Sequence, residues 1–128
     1  MLFQKSKQRR GVTAVEFALT VPVLFLFLFA TYELGRANMM KHTAEAAAYE
    51  AARVAIVPGS TDAEAIAAAE SILATVGIRD ADISISPDAN TVRANISFVF
   101  QDNMVIFPFF LGENAGVDRT CQLSRELL

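Results

Sequence analysis

Residues 9–37, RRGVTAVEFALTVPVLFLFLFATYELGRA, change within a few positions from basic to almost wholly apolar. Residues 17–32 contain no charge. The segment 11–32, about 22 residues, makes a helix of about 33 Å, enough to cross the hydrocarbon core of a bilayer. A core helix of a soluble domain would show a polar side, and this one shows none. We therefore expect a membrane-spanning helix at residues 12–32.

The charges outside this helix are distributed unevenly. Of the 11 basic residues, four lie in the leader, residues 1–11, which has no acid. Seven basic residues therefore face all 14 acidic ones in the rest of the chain, a net charge of −7. By the positive-inside rule, the leader stays in the cytoplasm and the C-terminal part is exported. The acidic remainder argues against nucleic acid as a partner.

An alanine-rich segment, residues 33–57, follows the apolar run without Pro or Gly after Gly35. Tyr32 suits the aromatic belt of a membrane, and Glu33 and Arg36 are expected to anchor the helix at the interface, where they pair at i, i+3. Alanine favours helix, so the membrane helix should continue outward until Pro58 and Gly59 end it. The alanine face offers close approach either to a partner helix or, as we prefer, to the protein's own sheet.

The remaining part, residues 60–128, predicts one more helix and then strands. Thr61 and Glu64 form a capping box, and Gly77 is placed to end the helix that they begin. Alternation with period two then predicts strands at residues 83–86, 92–100 and around 117–123, with a turn at 87–90. The expected fold is α+β: a long N-terminal helix, a second short helix and a small antiparallel β-sheet packed on helix.

Two features of this part have an open interpretation. The apolar segment 104–111 is too short to span a bilayer. Its Phe107, Phe109 and Phe110 are candidates for contact with a partner or the membrane surface, but folding back over the core is an equal alternative, because a small domain needs its apolar side chains. Cys121, the only cysteine, is interpreted as a small half-buried residue on a strand rather than an intermolecular link.

Glu16 is the unusual residue of the apolar helix, since a carboxylate in lipid is unfavourable unless it is paired or reaches the headgroups. Gly11, five positions earlier, has no Cβ, so a protease can approach its backbone. Cleavage after Gly11 would give Val12 a free α-amine, positive at neutral pH. We hypothesise that this amine, on a neighbouring subunit, pairs with Glu16; the alternative is a glutamate that snorkels to the headgroups.

Pro22 frees the carbonyl of Ala18 and predicts a kink, either a site of local melting as the helix leaves the membrane or a tolerated one. A cleaved signal peptide would need small residues just after the apolar core, where Glu33 and Leu34 follow Tyr32, so we expect the helix to be retained.

Together, a basic pair, Gly11, four residues and then Glu16 and Phe17 resemble the N-terminus of TadE-like pseudopilins of the tight-adherence (Flp, type IV-like) pilus system. The resemblance covers residues 9–37. It implies cleavage after Gly11 by a membrane prepilin peptidase, a role for Glu16 and Phe17 in assembly and register, and partners among other pseudopilins, pilins and the pilus assembly platform. It places the protein in the bacterial inner membrane, single-pass, or in the pilus.

Two departures favour a minor assembly subunit over the main pilin: Phe17, where Flp pilins usually have Tyr, and a larger C-terminal part. The alternative function is an unprocessed single-pass membrane protein with a small binding domain. Because His42 is the only histidine and no nucleotide-binding or nucleophile motif occurs, we expect no catalytic residue, metal, cofactor or small-molecule substrate.

Overall fold

The computed structural model describes residues 5–103 and 115–124, with only the backbone described for residues 5–10. Helix α1, Lys5–Ala55, has 51 residues. Helix α2 covers Asp62–Thr75. Three strands follow, β1 at Asp82–Pro87, β2 at Thr91–Val99 and β3 at Gly116–Ser124, with a short 3-10 turn at Gln101–Asn103 after β2. The expected α+β architecture, with a long helix, a short helix and an antiparallel sheet, is confirmed.

Helix α1 is continuous through Pro22 and includes Gly11 and the backbone from Lys5 onward. Its segment Gly11–Ala55 contains an 18-residue window with a mean hydropathy of 2.2, none of it buried. Large apolar side chains such as Phe17 and Leu19 stand about 70% exposed to solvent. In length and composition this helix is able to cross a membrane, and the apolar side chains that it exposes are the ones that lipid would cover.

The junction after α1 is a tight turn. The Ser60 N–H donates to the Val57 carbonyl, and Gly59 has a φ of 93°, which glycine adopts without strain. Thr61 then caps α2: its hydroxyl accepts from the Glu64 N–H at 3.3 Å, while the Glu64 carboxylate accepts from the Thr61 N–H at 3.0 Å. The predicted capping box is confirmed, and Gly77, with a φ of 71°, follows the end of the helix.

The sheet is an antiparallel meander in the order β1-β2-β3. Ile85 lies opposite Ala94, which lies opposite Cys121 on the other side. One face of β2 is buried, and the residues between are half-buried or exposed, as the alternation predicts. The buried side chains of this strand and the residue that follows it are Val92, Ala94, Ile96, Phe98 and Phe100.

Both helices pack on the buried face of the sheet, so the fold has two layers. From Glu33 onward, α1 buries one face at helical spacing. Its members, apart from Met40 and Glu33, are alanines: Ala37, Ala44, Ala47, Ala48, Ala51 and Ala52. Methyl side chains let α1 approach the sheet and α2 closely, so the alanine face is used by the protein itself, as preferred above. We call residues 33–55 of α1, helix α2 and the sheet the body.

Candidate functional site

The residues of the predicted cleavage and register site lie on the exposed apolar part of α1. Among the residues whose side chains the structure describes, a Cβ built on Gly11 would meet nothing within 4 Å. Val12 is 60% exposed and Phe17 70% exposed. Glu16 is also exposed, and its main-chain carbonyl accepts a hydrogen bond from the Thr20 hydroxyl at 2.7 Å. These side chains are therefore free of the body and available to lipid or to another helix.

Val12 and Glu16 are four residues apart on α1, which puts them on the same side of the helix, about 6 Å apart along its axis. A cation at Val12 would stand one turn from the carboxylate. Pro22 follows Glu16 by six residues, and the helix runs on through it. The Thr31 hydroxyl donates to the Phe27 carbonyl at 2.8 Å, so this helix satisfies its hydroxyls internally within the apolar segment.

The boundary of the apolar segment differs from one side of α1 to the other. Tyr32 and Leu34 are 51% and 57% exposed, whereas Glu33 is only 3% exposed. The protein therefore covers one side of the helix from the residue next to Tyr32, whereas Tyr32 and Leu34, on either side of Glu33, are exposed. A shallow groove of about 540 Å³ lies along this part of the helix, lined by Leu28, Thr31, Tyr32, Gly35, Arg36 and Met39.

Arg36, predicted to anchor the interface, contacts the body. Its guanidinium donates to the main-chain carbonyl of Asn103, from Nε at 3.3 Å and from Nη2 at 3.0 Å. The side chain is half-buried. The two donors of one planar group hold a single carbonyl, so Arg36 ties the helix to the turn that ends β2.

Asn103 is the residue that sequence analysis missed. It is 5% exposed. Its side-chain Oδ1 accepts from the Arg79 N–H at 2.7 Å, and its Nδ2 donates to the Val99 carbonyl at 3.0 Å. One asparagine therefore joins α1, β2 and the segment that leads into β1. No pattern in the sequence points to it, because its partners lie up to 67 residues away.

Two further contacts, farther along α1 from the apolar segment than Arg36, connect the helix to Phe100 and to β3. The Lys41 ammonium lies 5.9 Å from the centroid of the Phe100 ring. The Glu45 carboxylate pairs with the Arg119 guanidinium, Oε1 to Nε at 2.9 Å. Glu45 also approaches His42 Nδ1, at 3.5 Å from Oε2. The order of these contacts shows that β2 runs toward the apolar segment while α1 runs away from it.

Phe107, Phe109 and Phe110 lie outside the described residues, so their predicted contact is not placed. Cys121 is half-buried on β3, on the side that faces the helices, in agreement with its interpretation as a small packing residue. The partners that surround it belong to the hydrophobic core.

Residues 11–53 match the family model described as TadE-like protein. Over this segment, about a third of the chain, the protein is similar to that family. The match extends the resemblance beyond the apolar run and includes most of the alanine-rich part of α1, but it ends before α2 and the sheet. Comparison with curated proteins and with solved structures gives no match. The TadE-like segment and the long apolar helix fit a membrane protein associated with the tight-adherence pilus.

Proposed function

We propose that this protein is a minor, pilin-like subunit needed to assemble a tight-adherence pilus, and that a prepilin peptidase cuts it after Gly11. The TadE-like match, which begins at Gly11 and runs through the apolar helix, is the observation that carries this proposal. The chain itself has no catalytic role in it. The chemistry of cleavage belongs to the peptidase.

The geometry around Gly11 supports the cleavage step. The glycine and Val12 lie on a single helix away from the body, and no described side chain approaches the Cβ position of Gly11 within 4 Å. A membrane peptidase would therefore meet this peptide bond without displacing the body. Loss of the basic leader would expose the α-amine of Val12 one turn from Glu16.

Glu16 then has a role in assembly. Its side chain is exposed in the apolar segment, where a carboxylate favours a cationic partner. We assign that partner to the α-amine of Val12 on a neighbouring subunit, with Phe17 packed beside the pair. The subunits would join through their N-terminal helices, with the leader side in the cytoplasm and the body outside the inner membrane.

The test is the intact mass of the purified full-length chain from cells with and without an active prepilin peptidase. The expected result is a loss of residues 1–11 only in the presence of the peptidase. A full-length chain in both strains would contradict the proposal. It would favour an unprocessed single-pass protein whose body binds a partner, because that function does not need the free amine.

A further inference from the structure

Three contacts of α1 with β3 and with the residues that follow β2 show which end of the body lies next to the apolar segment. Arg36 meets Asn103, Lys41 meets Phe100, and Glu45 meets Arg119, which lies opposite Ile96. Because β2 is nine residues long, its two ends lie about 26 Å apart. The Gln101–Asn103 turn therefore lies at one end of the body, next to the apolar segment, and the turn between β1 and β2 lies at the other.

The depth of this end follows from the helix rise. Arg36 is four residues past Tyr32, about 6 Å along the helix. The polar layer on each side of a bilayer is about 5–8 Å thick, from the difference between a total of 40–45 Å and a core of about 30 Å. If Tyr32 marks the edge of the hydrocarbon core, the Asn103 carbonyl that Arg36 holds lies within the headgroups. Glu33, next to Tyr32, is 3% exposed, so the protein covers this side of the helix at that edge.

Charged groups of both signs lie at this end. Arg36 and Lys41 contact the Phe100–Asn103 segment through their side chains, and Arg79 contacts Asn103 through its main-chain N–H. Among the described residues, Asp80 and Asp102 are exposed acids near this turn, and the exposed Asp82 and Asp118 both lie opposite Ser97 at the same end of the sheet. Guanidinium groups bind phosphate, so Arg36 is the cation at this depth that suits a lipid headgroup.

We propose that this end of the body, formed by Arg36 and the Gln101–Asn103 turn, rests in the headgroup layer of the bilayer that α1 spans. The contact of this turn with α1 fixes how the body stands on the membrane. The body is thus in contact with the lipid surface and is not held at a distance from it. This inference rests on the membrane-spanning helix of the proposed function, but not on cleavage after Gly11.

The test uses the full-length chain in vesicles of phosphatidylcholine and phosphatidylglycerol, with Cys121→Ser as background. Asp102→Cys places one fluorescent label at the membrane end, and Asn90→Cys places a matched label in the β1–β2 turn. Both parent residues are exposed, so both labels are accessible. Lipids with a nitroxide on the headgroup serve as quenchers. We expect the label at residue 102 to lose most of its fluorescence and the label at residue 90 to keep it.

Equal, weak quenching of both labels would overturn the inference. So would a label at residue 102 that is shielded from aqueous iodide but not quenched by the nitroxide lipid, because a second copy of the chain would then cover this end. Alkaline carbonate extraction of the same vesicles separates the two proposals. If carbonate releases the chain, α1 does not span the bilayer, and both proposals fail. If the chain stays in the vesicles but the label at residue 102 is not quenched, only the proposed position of the body in the headgroup layer is refuted.

Discussion

The Arg36 guanidinium and the Asn103 main-chain carbonyl, 67 residues apart in the chain, are joined by two hydrogen bonds at 3.0 and 3.3 Å. Through this contact the part of α1 next to the apolar segment holds the end of the central strand. This contact therefore attaches α1 to the sheet at a second place, besides the alanine face.

Asn103 should be the most sensitive polar side chain of this junction. In Asn103→Ala, the Arg79 N–H and the Val99 carbonyl lose their partners in a partly buried place, and leaving such groups unsatisfied costs about 1–3 kcal/mol. We expect the free energy of unfolding to fall by about 2 kcal/mol, measured by urea unfolding of the full-length chain in detergent. Asn38→Ala, at an exposed position of α1, is the control. Equal stability of the two variants would contradict this assignment.

Gly116 should not accept a side chain. A Cβ at this position would lie 2.9 Å from the Phe98 carbonyl oxygen, which is backbone and cannot rotate away. Gly116→Ala should therefore lower the free energy of unfolding by about 1–3 kcal/mol. Gly35→Ala is the matched control, because no atom in the described part of the chain lies within 4 Å of its Cβ position in a helix. There we expect a gain of up to about 1 kcal/mol. Thermal unfolding of both variants checks the difference in sign.

The alanine face should tolerate no larger residue. Ala48 is 1% exposed between α1 and the rest of the core, and the added carbons of Ala48→Leu have no space. We expect a loss of about 1–3 kcal/mol or a failure to accumulate. Ala46→Leu, on the exposed side of the same helix, should leave the stability almost unchanged. If the urea midpoints of the two variants coincide, the close packing of α1 on the sheet is not what stabilises the body.

Glu16 should matter for assembly and not for folding. Glu16→Gln removes the charge but keeps the size and leaves the leader and Gly11 intact. We expect normal processing by mass spectrometry, normal membrane extraction and a loss of piliation or of incorporation into the assembly complex. Glu70→Gln removes an exposed charge from α2 and should assemble normally. Normal assembly of the Glu16 variant would favour a glutamate that only snorkels to the headgroups.

Local patterns predicted much of this fold. The capping box of Thr61 and Glu64 concerns neighbours in sequence, and the alternation of buried residues in β2 follows from the strand period. The long apolar run likewise predicted a helix able to span a membrane. In each case the residues that interact, or that share a face, are near one another along the chain, so their spacing carries the information.

Long-range contacts were not predictable in the same way. Glu33 and Arg36 were expected to serve as interface anchors at the edge of the apolar segment. The structure buries Glu33 and places Arg36 on Asn103. Gly116 is similarly ordinary in the sequence, and only the approach of Phe98 gives it a steric role. These roles depend on strands and helices that meet after folding.

The sequence by itself therefore determined an apolar helix with one carboxylate near a glycine, an alanine-rich continuation and the alternation of three strands, because helix and strand periods are local properties of the chain. Only the tertiary structure decided that β2 points its end at Arg36 and that the body begins at Glu33, one residue past Tyr32. Those facts depend on how segments far apart in sequence pack together. That packing is determined by the free energy of the whole core, and the spacing of residues along the chain does not reveal it.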